Sequence, residues 1–184
     1  SYGMPFYFKD MRDGTYIVFR GYVEGLTENI SPTWTSENYI GRSEPVYIYE
    51  RGERDISFTL KLFAQTKVEL LAIYSKLRRL SSLCYPEYHP DFDLQKLRMK
   101  PPITKFRMGE LYGNIFNQGI TGFVKSLSYS IPDVSPWETD MFQRVPKHIT
   151  AAVSYQIIHD SPPDKLTKFY GIGSPMQTAD LRRG

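Results

Sequence analysis

The residue types that most often bind metals are few in this chain and do not converge in the sequence. The three histidines, His89, His148 and His159, lack the short spacing that brings two ligands to one metal ion. Residues 89–93 join a histidine to two aspartates. They lie in a polar segment interrupted by proline, however, where carboxylates are ordinarily solvated. The sequence therefore predicts no metal site.

The candidates for covalent or cofactor chemistry are equally isolated. Cys84 ends an apolar helical face, whereas a catalytic thiol needs an electropositive, partly exposed setting with a base nearby. Residues 171–173, Gly-Ile-Gly, lack the third glycine and the following helix of a dinucleotide site. The acids between Glu50 and Asp55 cluster at a predicted turn instead of facing each other across a cleft. We therefore predict a protein that is not an enzyme and binds no cofactor.

Charge and hydropathy argue against a nucleic-acid-binding protein and against a membrane protein. The 23 Lys and Arg residues and 20 Asp and Glu residues give a net charge of +3 and are spread along the chain, so no nucleic-acid-binding face is predicted. Residues 20–22, Arg-Gly-Tyr, are only a fragment of a basic and aromatic platform. No segment approaches the roughly 18 consecutive apolar residues of a membrane span, so no membrane insertion is expected. A single cysteine cannot form an internal disulfide, which favours a reducing compartment.

The composition favours a folded, mainly β protein that assembles with others. The chain has 184 residues, of which 41% are hydrophobic and 15% aromatic, with 14 tyrosines. Tyrosine suits half-buried strands and protein interfaces, where one end of the side chain stays in water. We predict one β domain over residues 1–161. After Pro162 and Pro163 the sequence loses its periodicity, so residues 162–184 are predicted to be a C-terminal arm or flexible tail.

Turn residues and alternation predict hairpins in the first third of the chain. Asp13-Gly14 and Arg51-Gly52 each lie between segments rich in β-forming residues, which predicts a tight turn at both places. Apolar residues then occupy alternate positions from Ile56 to Leu62. This period of two predicts a strand with one buried face.

One helix is predicted, over about residues 66–83. Thr66 and Glu69 have the spacing of a capping box, and apolar residues recur at helical spacing from Leu70 to Leu80. Tyr85-Pro86 ends the helix. We predict an irregular loop of about fifteen residues after it, because Pro90, Pro101 and Pro102 follow.

Further strands are predicted in the second half. A glycine-containing turn at residues 117–119 joins a strand ending near Phe116 to one starting near Ile120. The predicted core positions alternate along two strands: Phe123, Leu127, Tyr129 and Ile131, then Ile149, Ala151, Val153, Tyr155 and Ile157. Between these strands, residues 132–146 form a long loop that contains Trp137. A loop of this length in a compact domain is usually either functional, here with a binding role, or disordered.

Several motifs resemble one family. Residues 34–47, Trp-Thr-Ser-Glu-Asn-Tyr-Ile-Gly-Arg-Ser-Glu-Pro-Val-Tyr, resemble baseplate hub and tail-tube initiator proteins of myoviruses and related contractile injection systems. Residues 80–86, Leu-Ser-Ser-Leu-Cys-Tyr-Pro, resemble the end of the family's helix. The two prolines at 101–102 before a glycine-bearing hairpin, and the loop at 135–138, are similar too. The resemblance covers roughly Tyr16 to His159.

The resemblance implies a fold and a function. The fold would be of the phage tail-tube type, with two antiparallel sheets closing a sandwich or small barrel beside one flanking helix. Six copies would form a ring that starts the tail tube at the baseplate and leaves a lumen for DNA. The implied partners are further copies of this chain and neighbouring tail-tube and baseplate hub proteins, in a virion assembled in the host cytoplasm. The tail-tube protein itself is the alternative within the family.

The resemblance also suggests interface and lumen residues. Trp34, Tyr39, Arg42, Glu44 and Trp137 are candidates for contacts between subunits. Arg42 and Glu44 are candidate ion-pairing groups between subunits, or an internal salt bridge. A lumen that passes DNA should be lined by small or polar side chains, and the candidates are Ser126, Ser128 and Ser130. These serines could equally be ordinary solvent-facing strand positions.

The alternative from another class is a monomeric β-sandwich that binds a ligand. A carbohydrate reader, for example, would use Trp137 and nearby tyrosines as a stacking platform. Self-association distinguishes the two functions.

Overall fold

The structure, a computed structural model, describes residues 4–90, 97–113, 119–159, 170 and 172. Within these residues the chain is mainly β, with one helix. The elements are β1 (Phe6–Asp10), β2 (Tyr16–Val18), β3 (Tyr22–Glu37), β4 (Val46–Phe63), α1 (Lys67–Ser82), β5 (Glu87–Pro90), β6 (Leu97–Lys100), β7 (Thr104–Met108), β8 (Ile120–Ser130) and β9 (His148–Ile157).

Seven strands form one antiparallel sheet in the order β2-β1-β7-β8-β9-β4-β3. In a flat sheet, β1 and β4 would lie about 19 Å apart, since neighbouring strands are about 4.8 Å apart. The rings of Phe8 in β1 and Phe58 in β4 are only 6.5 Å apart. The sheet is therefore curled, so that its two halves face each other across a core. The prediction of two separate sheets is wrong, because hydrogen bonding is continuous from β2 to β3.

The two edges of this sheet are brought together by the chain itself. β2 and β3 are the edge strands, yet only residues 19–21 separate them. Such a link spans at most about 14 Å between its flanking Cα atoms. Gly21 makes the approach possible, because a Cβ atom there would lie 2.7 Å from the carbonyl oxygen of Lys61 in β4. The result is a curled sheet whose two edges approach each other without pairing.

The core of the curled sheet is aromatic. Phe106 is fully buried and stacks on Phe8 and Phe58, with ring centroids 4.9 and 5.4 Å away. Tyr155 from β9 contacts Phe106 and bonds through its hydroxyl group with Thr104. The predicted alternation is confirmed for Ile56 to Leu62 in β4 and for all five positions of β9: Ile149, Ala151, Val153, Tyr155 and Ile157.

The predicted helix is confirmed. Thr66 caps α1 by accepting a hydrogen bond from the backbone N–H of Glu69, and the Glu69 carboxylate accepts from the N–H of Thr66. Backbone donation, first from Gln65 and then from Thr66, lowers the pKa of Glu69 below its usual value. The buried face of α1 carries Leu70, Leu77 and Leu80, and Leu77 and Leu80 belong to the core cluster of the curled sheet.

Removal of the cap should weaken the fold measurably. Thr66→Ala is expected to lower the free energy of unfolding by about 1 kcal/mol, because one N–H of the first helical turn loses its acceptor. Urea unfolding followed by circular dichroism measures this change. Gln65→Ala, at the preceding exposed position, is the matched control and should change the free energy by less than about 0.5 kcal/mol. Equal effects of the two substitutions would contradict the capping role.

A buried charge cluster ties α1 to the turn between β1 and β2. The side chain of Asp10 has no exposed surface and accepts from Arg12 at 2.9 Å and from Arg79 of α1 at 3.0 Å. Arg12 also donates to the carbonyl oxygen of Tyr85, at the end of the helix. Asp13 pairs with Arg79, and the backbone N–H of Thr15 lowers the pKa of Asp13. The hairpin predicted at Asp13-Gly14 is confirmed, with Gly14 at a φ of 74°.

Two predictions about strands need correction. Arg51-Gly52 is not a turn but lies inside β4, paired with Thr33 and Pro32 of β3. The core position expected at Phe123 is taken by Val124, because a bulge between Val124 and Ser126 breaks the alternation of β8. Tyr129 and Ile131 are exposed as well, although the Tyr129 hydroxyl donates to the carbonyl oxygen of Leu77 in α1.

The segments after the helix also differ from the prediction. The expected loop of about fifteen residues contains a small hairpin, β5 with β6, where Tyr88 pairs with Met99. β7 ends at Met108, and the predicted strand end at Phe116 and most of the turn at 117–119 lie outside the described residues. β7 and β8 are antiparallel neighbours, as predicted. Of the predicted C-terminal arm, only residues 170 and 172 are described.

Candidate subunit interface

A two-stranded extension is the most distinctive surface feature of the described chain. β9 pairs with β4 only over Asp55–Phe63, so β4 from Val46 to Arg54 pairs with β3 alone. We call residues 30–54 the hairpin arm. At about 3.3 Å for each residue, the arm extends about 30 Å beyond the point where the pairing with β9 ends.

The hairpin arm exposes apolar side chains on both faces. Trp34 is 57% exposed, and its ring meets that of Tyr49 edge-on at 5.2 Å. Tyr47 and Ile48, next to each other in β4, are also exposed although they point to opposite faces. An isolated two-stranded hairpin is only marginally stable in water. The exposed aromatic residues of the arm therefore make it a candidate surface for a subunit contact.

The tip of the hairpin arm, residues 38–45, brings together three of the predicted interface residues. Tyr39, Arg42 and Glu44 all lie there, and Arg42 closes a turn by donating its N–H to the carbonyl oxygen of Tyr39 at 3.2 Å. Ile40 at the tip is fully exposed. Arg42 and Glu44 form no ion pair with each other or with any other described residue. The internal salt bridge that was the alternative for them is therefore not seen in the described part of the chain.

The root of the hairpin arm is fixed by a polar cluster that sequence reasoning missed. Arg54, which is 3% exposed, forms an ion pair with Glu28 across β3 and β4. The hydroxyl groups of Tyr112 and Tyr170 donate to the Glu28 carboxylate at 3.2 and 3.0 Å. The guanidinium of Arg54 lies over both tyrosine rings. Burial, with the negative charge of Glu28 as the next cause, raises the pKa of Tyr112.

Trp137 occupies a different part of the molecule. It lies in the loop between β8 and β9, is 56% exposed and forms an isolated bridge with Pro146. An ion pair between Asp140 and Lys67 holds this loop beside the start of α1, and the Tyr74 hydroxyl donates to the carbonyl oxygen of Pro146. Trp137 therefore lies on a different structural element from the other predicted interface residues, which all belong to the hairpin arm: Trp34, Tyr39, Arg42 and Glu44.

The predicted lumen residues lie on a coherent polar surface. Ser126, Ser128 and Ser130 are exposed on β8 and pair with Ser154, Ala152 and Thr150 of β9. Ser57 and Thr59 of β4 continue the surface on the other side of β9. We call these eight positions the serine face. They carry only small side chains, none of them charged.

Neither a metal-binding cluster nor an activated thiol is found among the described residues. They contain no group of three or more His, Cys, Asp and Glu side chains that could hold a metal ion. Cys84 is half-buried against the core, and burial raises the pKa of its thiol, which disfavours the reactive thiolate. No helix in this part of the chain has the length and hydropathy to cross a membrane.

Comparisons with known proteins add no family to this picture. A scan against models of protein families finds no match for the chain. A search of curated proteins finds none either.

Two signals in the sequence could have revealed the arm. Residues 46–49, Val-Tyr-Ile-Tyr, place β-forming apolar residues at consecutive positions, which is typical of a strand covered on both faces. No part of the described chain covers Tyr47, Ile48 or Tyr49, so the pattern and the exposure together mark this segment as a candidate contact surface. An isolated glycine within a strand often marks a bulge, and Gly52 lies close to the register shift between Thr33 and Trp34. The partners of Arg54 have no comparable local signal.

Proposed function

We propose that this protein is a structural, non-enzymatic subunit of a contractile phage tail, and that it forms a hexameric ring that initiates the tail tube at the baseplate. The observation that carries the proposal is the hairpin arm, which exposes apolar side chains on both faces. It coincides with residues 34–47, the segment that resembles baseplate hub and tail-tube initiator proteins. A tail subunit needs such a surface because each copy must hold its neighbours.

The sheet edges support repeated self-association. β2 and β3 are the edge strands, and an open edge can pair with a neighbouring chain. A closed ring of identical subunits covers such edges on every copy. The curled sheet thus suits a subunit that is completed by its neighbours.

The serine face supports the idea of a lumen. A surface of small uncharged side chains offers a phosphate backbone neither ion pairs nor apolar contacts, so DNA could pass without being held. The three serines predicted from the sequence lie at one side of this face, on β8. Its composition is the property that a conduit needs, and it does not distinguish an initiator from the tube protein itself.

Shortening the arm tests the proposal. Residues 33–51 are replaced by Asn-Gly, which makes a two-residue turn between the paired residues Pro32 and Gly52. Native mass spectrometry should find six-fold assemblies of the full chain and monomers of the arm-shortened chain. The shortened monomer should still unfold cooperatively in urea, because the deleted residues lie outside the core.

Two outcomes would count against this function. A full chain that stays monomeric, alone and when co-expressed with tail-tube and baseplate proteins, overturns it. Binding of that monomer to a glycan array, abolished by Trp137→Ala, would favour the carbohydrate-binding alternative instead.

A further inference from the structure

A groove runs between β2 and α1. One part has a volume of about 660 Å³ and is lined by Val18, Arg20, Tyr22, Phe63, Ile73 and Lys76, among others. A second part of about 580 Å³ continues along the helix past Tyr16 and Arg78 and shares Lys76. We call the two parts together the β2–α1 groove. Its apolar floor and its position along an edge strand suit an extended segment of chain.

One wall of the β2–α1 groove is an open backbone edge. The N–H of Asp10 bonds with the carbonyl oxygen of Thr15, and the N–H of Phe19 bonds with that of Phe6. Hydrogen-bonded pairs alternate with non-bonded pairs in an antiparallel ladder. The backbone groups of Tyr16 and Val18 therefore point away from β1, toward the groove. An incoming strand could pair with them, as in β-strand addition.

Three of the basic side chains that line the β2–α1 groove form no ion pair within the described part of the chain: Arg20, Lys76 and Arg78. The nearby Arg79 is already paired with Asp10 and Asp13. Glu69, the acid at the groove, is occupied in capping α1. The groove thus favours an occupant that carries carboxylates.

The tip of the hairpin arm has the complementary chemistry. Glu37 directly precedes the tip and Glu44 lies within it, with Arg42 between them. Neither carboxylate forms an ion pair within the described part of the chain, and Glu37 accepts only from the hydroxyl group of Tyr39 at 3.3 Å. The exposed Ile40 supplies an apolar side chain for the floor of the groove.

A chain's own tip cannot occupy its own β2–α1 groove. The groove includes Tyr22, at the start of β3, whereas the tip follows Glu37, at its end. A strand of 16 residues places these two ends about 50 Å apart. The occupant of the groove must therefore come from another molecule.

We propose that the tip of the hairpin arm of one copy docks in the β2–α1 groove of the next copy. The tip adds its backbone to the edge of β2 and places Glu37 and Glu44 beside Arg20, Lys76 and Arg78. The contact joins two different surfaces, so repeating it either closes a ring or extends a filament. This inference rests on the proposed function, because it names the receiving surface for the arm.

Charge reversal on both sides tests the docking. The arm-reversed variant carries Glu37→Lys and Glu44→Lys, and the groove-reversed variant carries Arg20→Glu and Arg78→Glu; all four side chains are exposed. Each variant alone should associate at least about tenfold more weakly than the natural chain, because like charges then face each other. An equal mixture should regain assembly, since each arm then meets a groove of opposite charge. Arg144→Glu, at an exposed position outside the groove, should assemble normally.

The outcomes separate this inference from the proposed function. Normal assembly of the groove-reversed variant, or failure of the folded variants to assemble when mixed, would overturn docking in the groove. If the arm-shortened chain is monomeric in the same experiments, the arm remains the assembly surface and only its receptor is wrong. A natural chain that never associates would instead overturn the proposed function, and the inference with it. Circular dichroism of each variant shows that a loss of assembly is not a loss of folding.

Discussion

Asp10→Asn is expected to lower the free energy of unfolding by about 3 kcal/mol. The carboxylate of Asp10 is completely buried and accepts hydrogen bonds from Arg12 and Arg79. An amide of nearly the same shape fills the space but leaves the Arg12 guanidinium, itself only 9% exposed, without its buried counter-ion. Loss of one partner from a buried ion pair commonly costs about 3 to 5 kcal/mol. The lower end of this range applies because Arg79 still has its ion pair with Asp13.

The matched control is Asp13→Asn. Asp13 pairs with Arg79, as Asp10 does, but the side chain of Asp13 is 45% exposed. Exposed ion pairs contribute little to stability because water screens them. Urea unfolding at neutral pH should place the midpoint of Asp13→Asn near that of the natural chain and the midpoint of Asp10→Asn well below it. If both substitutions had the same small effect, the buried cluster would not be what holds α1 to the β1–β2 turn.

This cluster also connects stability to assembly. Arg79 lies on α1, and Asp10 and Asp13 belong to the β1–β2 hairpin, so their contacts fix the two walls of the β2–α1 groove. Asp10→Asn should therefore weaken self-association as well, whereas the groove-reversed variant should weaken association alone. Loss of both stability and association would thus show that the walls of the groove have moved, whereas loss of association alone would show that only its charges have changed.

The elements that the sequence predicts well are those whose signals are local. The capping box of Thr66 and Glu69 lies within one helical turn, and the bonds that it predicts are present. The alternation from Ile149 to Ile157 needs only one strand and one buried face, and all of its apolar positions are buried. Neither inference depends on what the strand or helix packs against.

The two wrong predictions about strands arise from a glycine that is not in a turn and from a bulge that changes which side chains face the core. Gly52 resembles a turn residue, but its strand continues because β3 pairs with it on both sides of the position. A Cβ atom at Gly52 would lie 2.7 Å from the Tyr49 hydroxyl, so the glycine makes room for that side chain. In β8, the extra residue at the bulge moves Phe123 to the solvent side and Val124 to the core. A period of two cannot be followed across a bulge without knowing the partner strand.

The surfaces proposed for function depend on contacts between distant residues. The β2–α1 groove combines Val18 with Lys76, and the root of the hairpin arm combines Glu28 with Tyr112. Residues 34–47 could be singled out from the sequence, but their exposure follows from the end of the β9 pairing at Asp55. Whether a strand is covered depends on the whole sheet, so the sequence could single out the candidate segment but not the groove that we propose receives it.

The curl of the sheet leads to the second large effect. Phe106→Ala is expected to lower the free energy of unfolding by about 4 kcal/mol, since a fully buried phenylalanine is lost and a cavity remains. Its ring contacts Phe6 at 5.7 Å as well as Phe8 and Phe58, so it joins strands from both halves of the curled sheet. Unfolding should be measured in the arm-shortened chain, because association would otherwise add to the apparent stability.

Phe123→Ala is the control that distinguishes the structure from the simple alternating pattern. The alternating pattern places Phe123 in the core, whereas the structure leaves it 37% exposed on the other face of the sheet. The same deletion of a ring should therefore cost only about 1 kcal/mol there. If Phe123→Ala were as harmful as Phe106→Ala, Phe123 would lie in the core and the bulge after Val124 would be absent. Without the bulge, the period of two would still place Ser126, Ser128 and Ser130 on the face opposite Phe123, so this pair of substitutions tests the bulge itself and not the exposure of the three serines.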